Sequence, residues 1–139
     1  MTDPFRLQHF VDAQQPVFAA VRAELRAGKK RSHWMWFIFP QIAGLGHSDM
    51  ARRFAISSLD EARAYLGHPL LGARLRECSQ LVADIDNRTA EEIFGYPDDM
   101  KFRSSLTLFA QAAPDEPVFG TCLRRYFGGM PDPATLARL

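Results

Sequence analysis

A lysine set into the apolar side of a long helical segment limits what this chain can fold into. The segment is PDDMKFRSSLTLF, residues 97–109. With 3.6 residues per turn, Asp98, Lys101, Phe102, Ser105 and Phe109 share one side, and Leu106 and Leu108 bound it. Asp98, Lys101 and Ser105 therefore face inward. Lysine is almost never fully buried unless paired, so the fold must give Lys101 a partner anion, a wet cleft or a ligand. The segment predicts a helix that carries a site.

The chain around that helix is ordinary in composition. Its 139 residues and 15.7 kDa fit one domain, residues 1–139, with a single hydrophobic core. A hydrophobic content of 47% against 24% charged residues places it with ordered globular chains. The formal net charge is only +1, so no overall field draws it to nucleic acid or to a membrane. The one local concentration of charge is Lys29-Lys30-Arg31.

Cys78 and Cys122 are far apart and fit no metal-ligand spacing, so two reduced thiols and no metal are expected. No motif calls for a cofactor. The amino terminus, MTDPFRLQHF, lacks the apolar core of a signal peptide. The longest apolar run, Trp34 to Phe39, is too short to span a bilayer. A cytoplasmic protein is the default expectation.

Proline, glycine and capping residues punctuate the chain, with no repeat and no linker. Residues 5 to 13 predict a short helix, and Pro16 opens a longer one that carries Val17, Val21 and Leu25 and stops at Gly28. Ser48 caps a helix to about Ile56, and Ser58-Leu59-Asp60-Glu61 is a capping-box pattern for a helix through Leu66. Pro69 starts the clearest amphipathic helix, with Leu71, Leu75, Cys78, Val82 and Ile85 at helical spacing. Thr89-Ala90-Glu91-Glu92 repeats the capping box, and Pro97-Asp98 begins the lysine-bearing helix. Another spans Pro117 to Phe127, and Asp132-Pro133 opens a terminal turn. No period-two alternation bounded by hairpin turns is present. The expectation is an all-α bundle of about seven short to medium helices, with Trp34 to Phe39 as the one stretch that also suits a short buried strand.

SHWMWFIFPQIAGLGHS, residues 32–48, is the densest chemistry in the chain. Trp34 and Trp36 suit stacking on a purine or nicotinamide ring, with His33 and Gln41 as orienting hydrogen-bonding groups. Both rings also suit the core, the commonest place for an indole, and His33 equally suits a structural role. Gly44-Leu45-Gly46-His47-Ser48 precedes a helix and offers backbone N–H groups to a phosphate, although Ser48 and Asp49 can satisfy that helix end alone.

Arg74 projects among Leu71, Cys78, Leu81 and Ile85, which suits either bidentate phosphate binding or a tie to a carboxylate such as Asp98. For Asp98 the structural role is a helix N-cap, and for Lys101 it is snorkelling over apolar surface. In a functional role Lys101 grips an anion, Asp98 serves as a general base or electrostatic stabiliser, and Ser105 holds a substrate oxygen or water. Ser104, at the edge of the same face, joins the ligand-binding set.

The blocks GKKRSHWMWFIFPQIAGLGHS, ARAYLGHPLLGARL and IFGYPDDMKFRSSLTLF resemble a bacterial family of unknown function, domain-of-unknown-function family eighteen-ten, over nearly the whole chain. Some of its members carry the label calpastatin. That label implies a calpain inhibitor, a disordered polar chain unlike this one. The aromatic early segment and the Lys101-Phe102 pair are also distantly similar to the helical NADAR family, which implies NAD or ADP-ribose chemistry and cleavage of N-glycosidic bonds. The glutamate-containing early motif of that family is not evident, and no site residue is carried over.

Two functions follow as expectations. One is a small enzyme acting on a phosphorylated nucleotide or ADP-ribose-like ligand, with hydrolysis of a glycosidic bond. There Arg74 and Lys101 neutralise phosphate, Trp34 or Trp36 stacks on the base, and Asp98 or His33 activates water. The other is a non-catalytic nucleotide- or protein-binding module built from the same groups.

Overall fold

The computed structural model describes residues 5–139. Ten helices follow one another: α1 (Gln8–Gln14), α2 (Phe18–Arg26), α3 (Met35–Ile38), α4 (Asp49–Arg53), α5 (Leu59–Gly67), α6 (Leu71–Ala83), α7 (Ala90–Phe94), α8 (Asp98–Ala112), α9 (Pro117–Phe127) and α10 (Pro133–Leu136). The all-α expectation holds among the described residues, but ten helices replace about seven. The difference lies in short pieces: α3 does not read as a helix in the sequence, because four apolar residues carry no period, and α10 reads only as a terminal turn. Trp34 to Phe39 is not a strand: its centre is α3, and Pro40 follows directly. The only pairing of extended backbone among the described residues is an isolated parallel bridge between Ile42 and Ile56.

Local chemistry sets the ends. Thr89 and Glu92 close a full capping box on α7. At α5, Ser58 Oγ accepts from Glu61 N at 3.1 Å, but the Glu61 carboxylate turns instead to Ser57. At α6, His68 Nδ1 accepts from Leu70 N and Leu71 N, so the helix opens at Leu71 rather than Pro69. Gly128 ends α9 in the left-handed region at φ 62°, a conformation that costs a side-chain-bearing residue.

The long helix α8 is central. It packs on α5, α7, α9 and α10, while α6 packs on α2, α5 and α9. Aromatic rings fill the core, where Phe39 meets Phe102 and Phe94 edge-on and Tyr65 meets Phe10 edge-on. The tightest approach is at Gly72, where a Cβ would lie 2.1 Å from the Leu66 carbonyl oxygen, so α5 and α6 meet this closely only around glycine. No helix among the described residues is long and apolar enough to cross a membrane.

Candidate functional site

Lys101 finds its partner anion on its own helix and shares it with a second lysine. Asp98 is the first residue of α8, behind Pro97 as N-cap, and its carboxylate turns away from the helix end. Oδ2 pairs with Lys30 Nζ at 3.0 Å and Oδ1 with Lys101 Nζ at 3.4 Å. The Lys30 side chain is only 9% exposed against 28% for Lys101, so Lys30 needs the pairing more. Each ammonium also lies over an indole: Lys30 Nζ is 5.2 Å from the Trp34 ring centroid and Lys101 Nζ 5.5 Å from that of Trp36. Two lysines, one carboxylate and two tryptophans therefore form one cluster with a formal charge of +1.

The Lys30 segment is held in place by Glu24 of α2. Its Oε1 accepts from Arg31 N at 2.6 Å, Ser32 N at 3.0 Å and Trp34 Nε1 at 2.9 Å, and its Oε2 from Ser32 Oγ at 2.6 Å. Burial by itself raises the pKa of this carboxyl, but the hydrogen bonds from Ser32, Arg31 and Trp34 together outweigh it and hold the pKa down at about 2. From the other side, Lys30 N donates to the Ile93 carbonyl at 2.7 Å. Backbone and carboxylate together aim Lys30 at α8.

The residues singled out in the sequence do not all come together. Asp98, Lys101 and Trp36 converge, and Trp34 joins them through Lys30 while lying fully buried. Ser105, one turn beyond Lys101, is 1% exposed, and its hydroxyl has no hydrogen-bond partner among the described residues; Asp99 Oδ1 is in the same condition. Ser104 is spent on structure. Its hydroxyl donates to Asp132 Oδ2 at 2.8 Å and tethers the chain ahead of α10 to α8.

Arg74 is elsewhere. Its guanidinium donates to Gln14 Oε1 and Gln15 Oε1 and lies 4.6 Å over the Phe18 ring. The suggested tie between Arg74 and Asp98 is therefore not formed, because the two lysines take the carboxylate. His33 is exposed on the loop before α3. Gln41 is half-buried, and its backbone carbonyl accepts from Ile56 N at 2.9 Å beside the Ile42–Ile56 bridge. The glycine loop resolves as a capped turn, with Ser48 Oγ accepting from Ala51 N. Cys78 and Cys122 are free thiols, and burial pushes both up to about 12, which removes them as nucleophiles near neutral pH.

Sequence reasoning missed Lys30 and Glu24 as organisers of the cluster. Lys30 was visible only as part of a basic triplet, and its contact with α8 joins positions about half the chain apart. Glu24 lies three residues after Val21 and one before Leu25, at the edge of the buried face of α2, and that position was the available signal.

The family profile described as "protein of unknown function (DUF1810)" matches residues 4–139. The chain belongs to this family. The structure is similar to the crystal structure of the conserved hypothetical protein Rv1873 from Mycobacterium tuberculosis, with 56% sequence identity, a TM-score of 0.98, and coverage of 99% of this chain and 98% of that one. No curated protein matches the chain. In this DUF1810 chain, the fold brings Lys30, Asp98 and Lys101 together beside the two tryptophans.

Proposed function

We propose that the protein binds a small phosphorylated ligand, a nucleotide or an ADP-ribose-like molecule, at the Lys30–Asp98–Lys101 cluster. The observation that carries this reading is the convergence of two ammonium groups on one carboxylate beside the half-buried face of Trp36. A lysine pair with a single counter-charge retains net positive charge for a phosphate. The indole beside it offers a planar partner for a base. Ser105, buried on the same helix with a hydroxyl that no described residue engages, supplies a hydrogen-bonding group one turn away.

In the catalytic form of this reading the ligand's glycosidic bond is cleaved, with Asp98 or the exposed His33 as the group that activates water. In the non-catalytic form the same groups only hold the ligand. Thermal unfolding with NAD, ADP-ribose, nucleotides and phosphosugars tests binding, because a ligand selective for the native state raises the midpoint. The expected result is a rise with at least one of them in wild type that is lost in Lys101→Met. Chromatography for released base then separates the two forms: release that Asp98→Asn abolishes makes the protein an enzyme. No midpoint rise with any of these ligands contradicts the proposal.

A further inference from the structure

A second group of unused polar atoms lies away from the lysine cluster. A hollow of about 380 Å3 opens between the start of α1, the end of α4 and the start of α5, lined by Phe5, Arg6, His9, Arg53, Ala55 and Glu61. That volume is at the small end of ligand sites.

The two acceptors in its lining are better defined than its size. Glu61 is only 6% exposed, yet it is a carboxylate with no ion pair among the described residues. Its Oε1 accepts from Ser57 N at 2.9 Å and Ser57 Oγ at 2.7 Å, which leaves Oε2 without a described protein donor. His9 stacks on Phe54 at 5.2 Å and packs on Phe10 at 4.4 Å, so its ring is fixed. Its Nδ1 bonds the Arg6 carbonyl oxygen, which can only accept, so Nδ1 carries the proton. In the neutral ring Nε2 is then an acceptor, and it is buried without a partner. A buried polar atom left unpaired is unusual enough to need an explanation.

The donors in the lining have the opposite character. Arg6 and Arg53 are exposed and form no ion pair with a described residue. Arg6 is held at φ 54°, in the left-handed region that a side-chain-bearing residue seldom occupies. The hollow thus joins two unmatched acceptors, one of them charged, to two guanidiniums suited to a carboxylate. A divalent cation would answer the acceptors but meet both arginines. A simple anion would answer the arginines but meet Glu61.

We infer that this hollow binds a small zwitterion of the α-amino-acid class. The ligand ammonium donates to Glu61 Oε2 and His9 Nε2, and its carboxylate lies on Arg6 and Arg53. An ammonium brings three donors, enough for both acceptors. Phe5 and Ala55 leave an apolar side for a short side chain.

The test is an NMR titration of the full chain that follows the His9 ring nitrogens and the Ala55 amide. The probes are glycine, L-leucine, and the two halves of the zwitterion, acetate and methylamine. Saturable shifts are expected with glycine or L-leucine, with each half weaker by about tenfold or more, since one charge-assisted hydrogen bond is worth that factor. Glu61→Gln keeps a carbonyl for Ser57 and is expected to weaken amino-acid binding by about tenfold. Arg53→Ala, on an exposed side chain, is expected to do the same without a folding change. The inference is overturned if neither amino acid shifts these signals up to about 50 mM, if acetate alone binds as well as glycine, or if neither variant weakens binding.

Discussion

Trp34 and Trp36 are two residues apart, and each has a lysine over its ring, yet the two regions they anchor behave differently. Around Trp34 every polar demand is met: the indole is buried, and its N–H joins three other donors on Glu24. Around Trp36 the demands are left open. One carboxylate serves two ammoniums, the ring is half-buried, and a buried hydroxyl on the neighbouring turn has no described partner. A saturated network fixes a loop, whereas an unsaturated one beside solvent has capacity left for a ligand. The saturated half thus holds Lys30 where the unsaturated half needs it.

The largest effect that tests this contrast is Trp34→Ala, expected to destabilise the protein by about 3–5 kcal/mol in chemical denaturation because it empties a fully buried aromatic site. Trp36→Ala is expected to cost about 1 kcal/mol while removing ligand binding. Equal stability losses for the two would erase the distinction. Next comes Glu24→Gln, expected to cost about 1–3 kcal/mol, since a neutral amide cannot accept all the bonds the carboxylate does.

The same carboxyl sets a pH dependence. Its folded pKa of about 2 lies below the ordinary 4.5, so its contribution is complete above the ordinary value and is lost as pH falls towards 2. Wild type is therefore expected to lose stability relative to Glu24→Gln across that window, as read from unfolding midpoints. Parallel profiles would show that the four hydrogen bonds do not act on the ionised form.

Lys101→Met is expected to change stability by about 1 kcal/mol or less, because its pairing is partly exposed, while abolishing phosphate binding. The smallest stability effect is expected for Ser105→Ala, near zero, since no described residue loses a hydrogen bond. A fall in ligand affinity in that variant would place the hydroxyl in the site.

The helices with caps or a clear apolar stripe were legible. Pro117 to Phe127 was readable to the residue because proline opens it and glycine closes it, and the capping box at Thr89 is written in four letters. The single turn at Met35–Ile38 was not, because four apolar residues have no period to read. At the site, the inward lysine announced itself through its neighbours on α8. Its companion did not, since Lys30 gains its role only from a contact between distant parts of the chain. Arg74 shows the converse: its helical projection was inward, but the helix side it occupies meets α1 and α2 rather than α8.

Calorimetric titration of ADP-ribose into wild type, Lys30→Met and Lys101→Met at low and high salt shows whether the lysine cluster holds a phosphate. Wild type is expected to bind with an affinity that weakens with salt, and binding is expected to be lost in both variants, because both ammoniums hold the phosphate. Binding of equal strength in all three proteins would contradict phosphate binding at the cluster, as would the failure of ADP-ribose, NAD, nucleotides and phosphosugars alike to bind wild type.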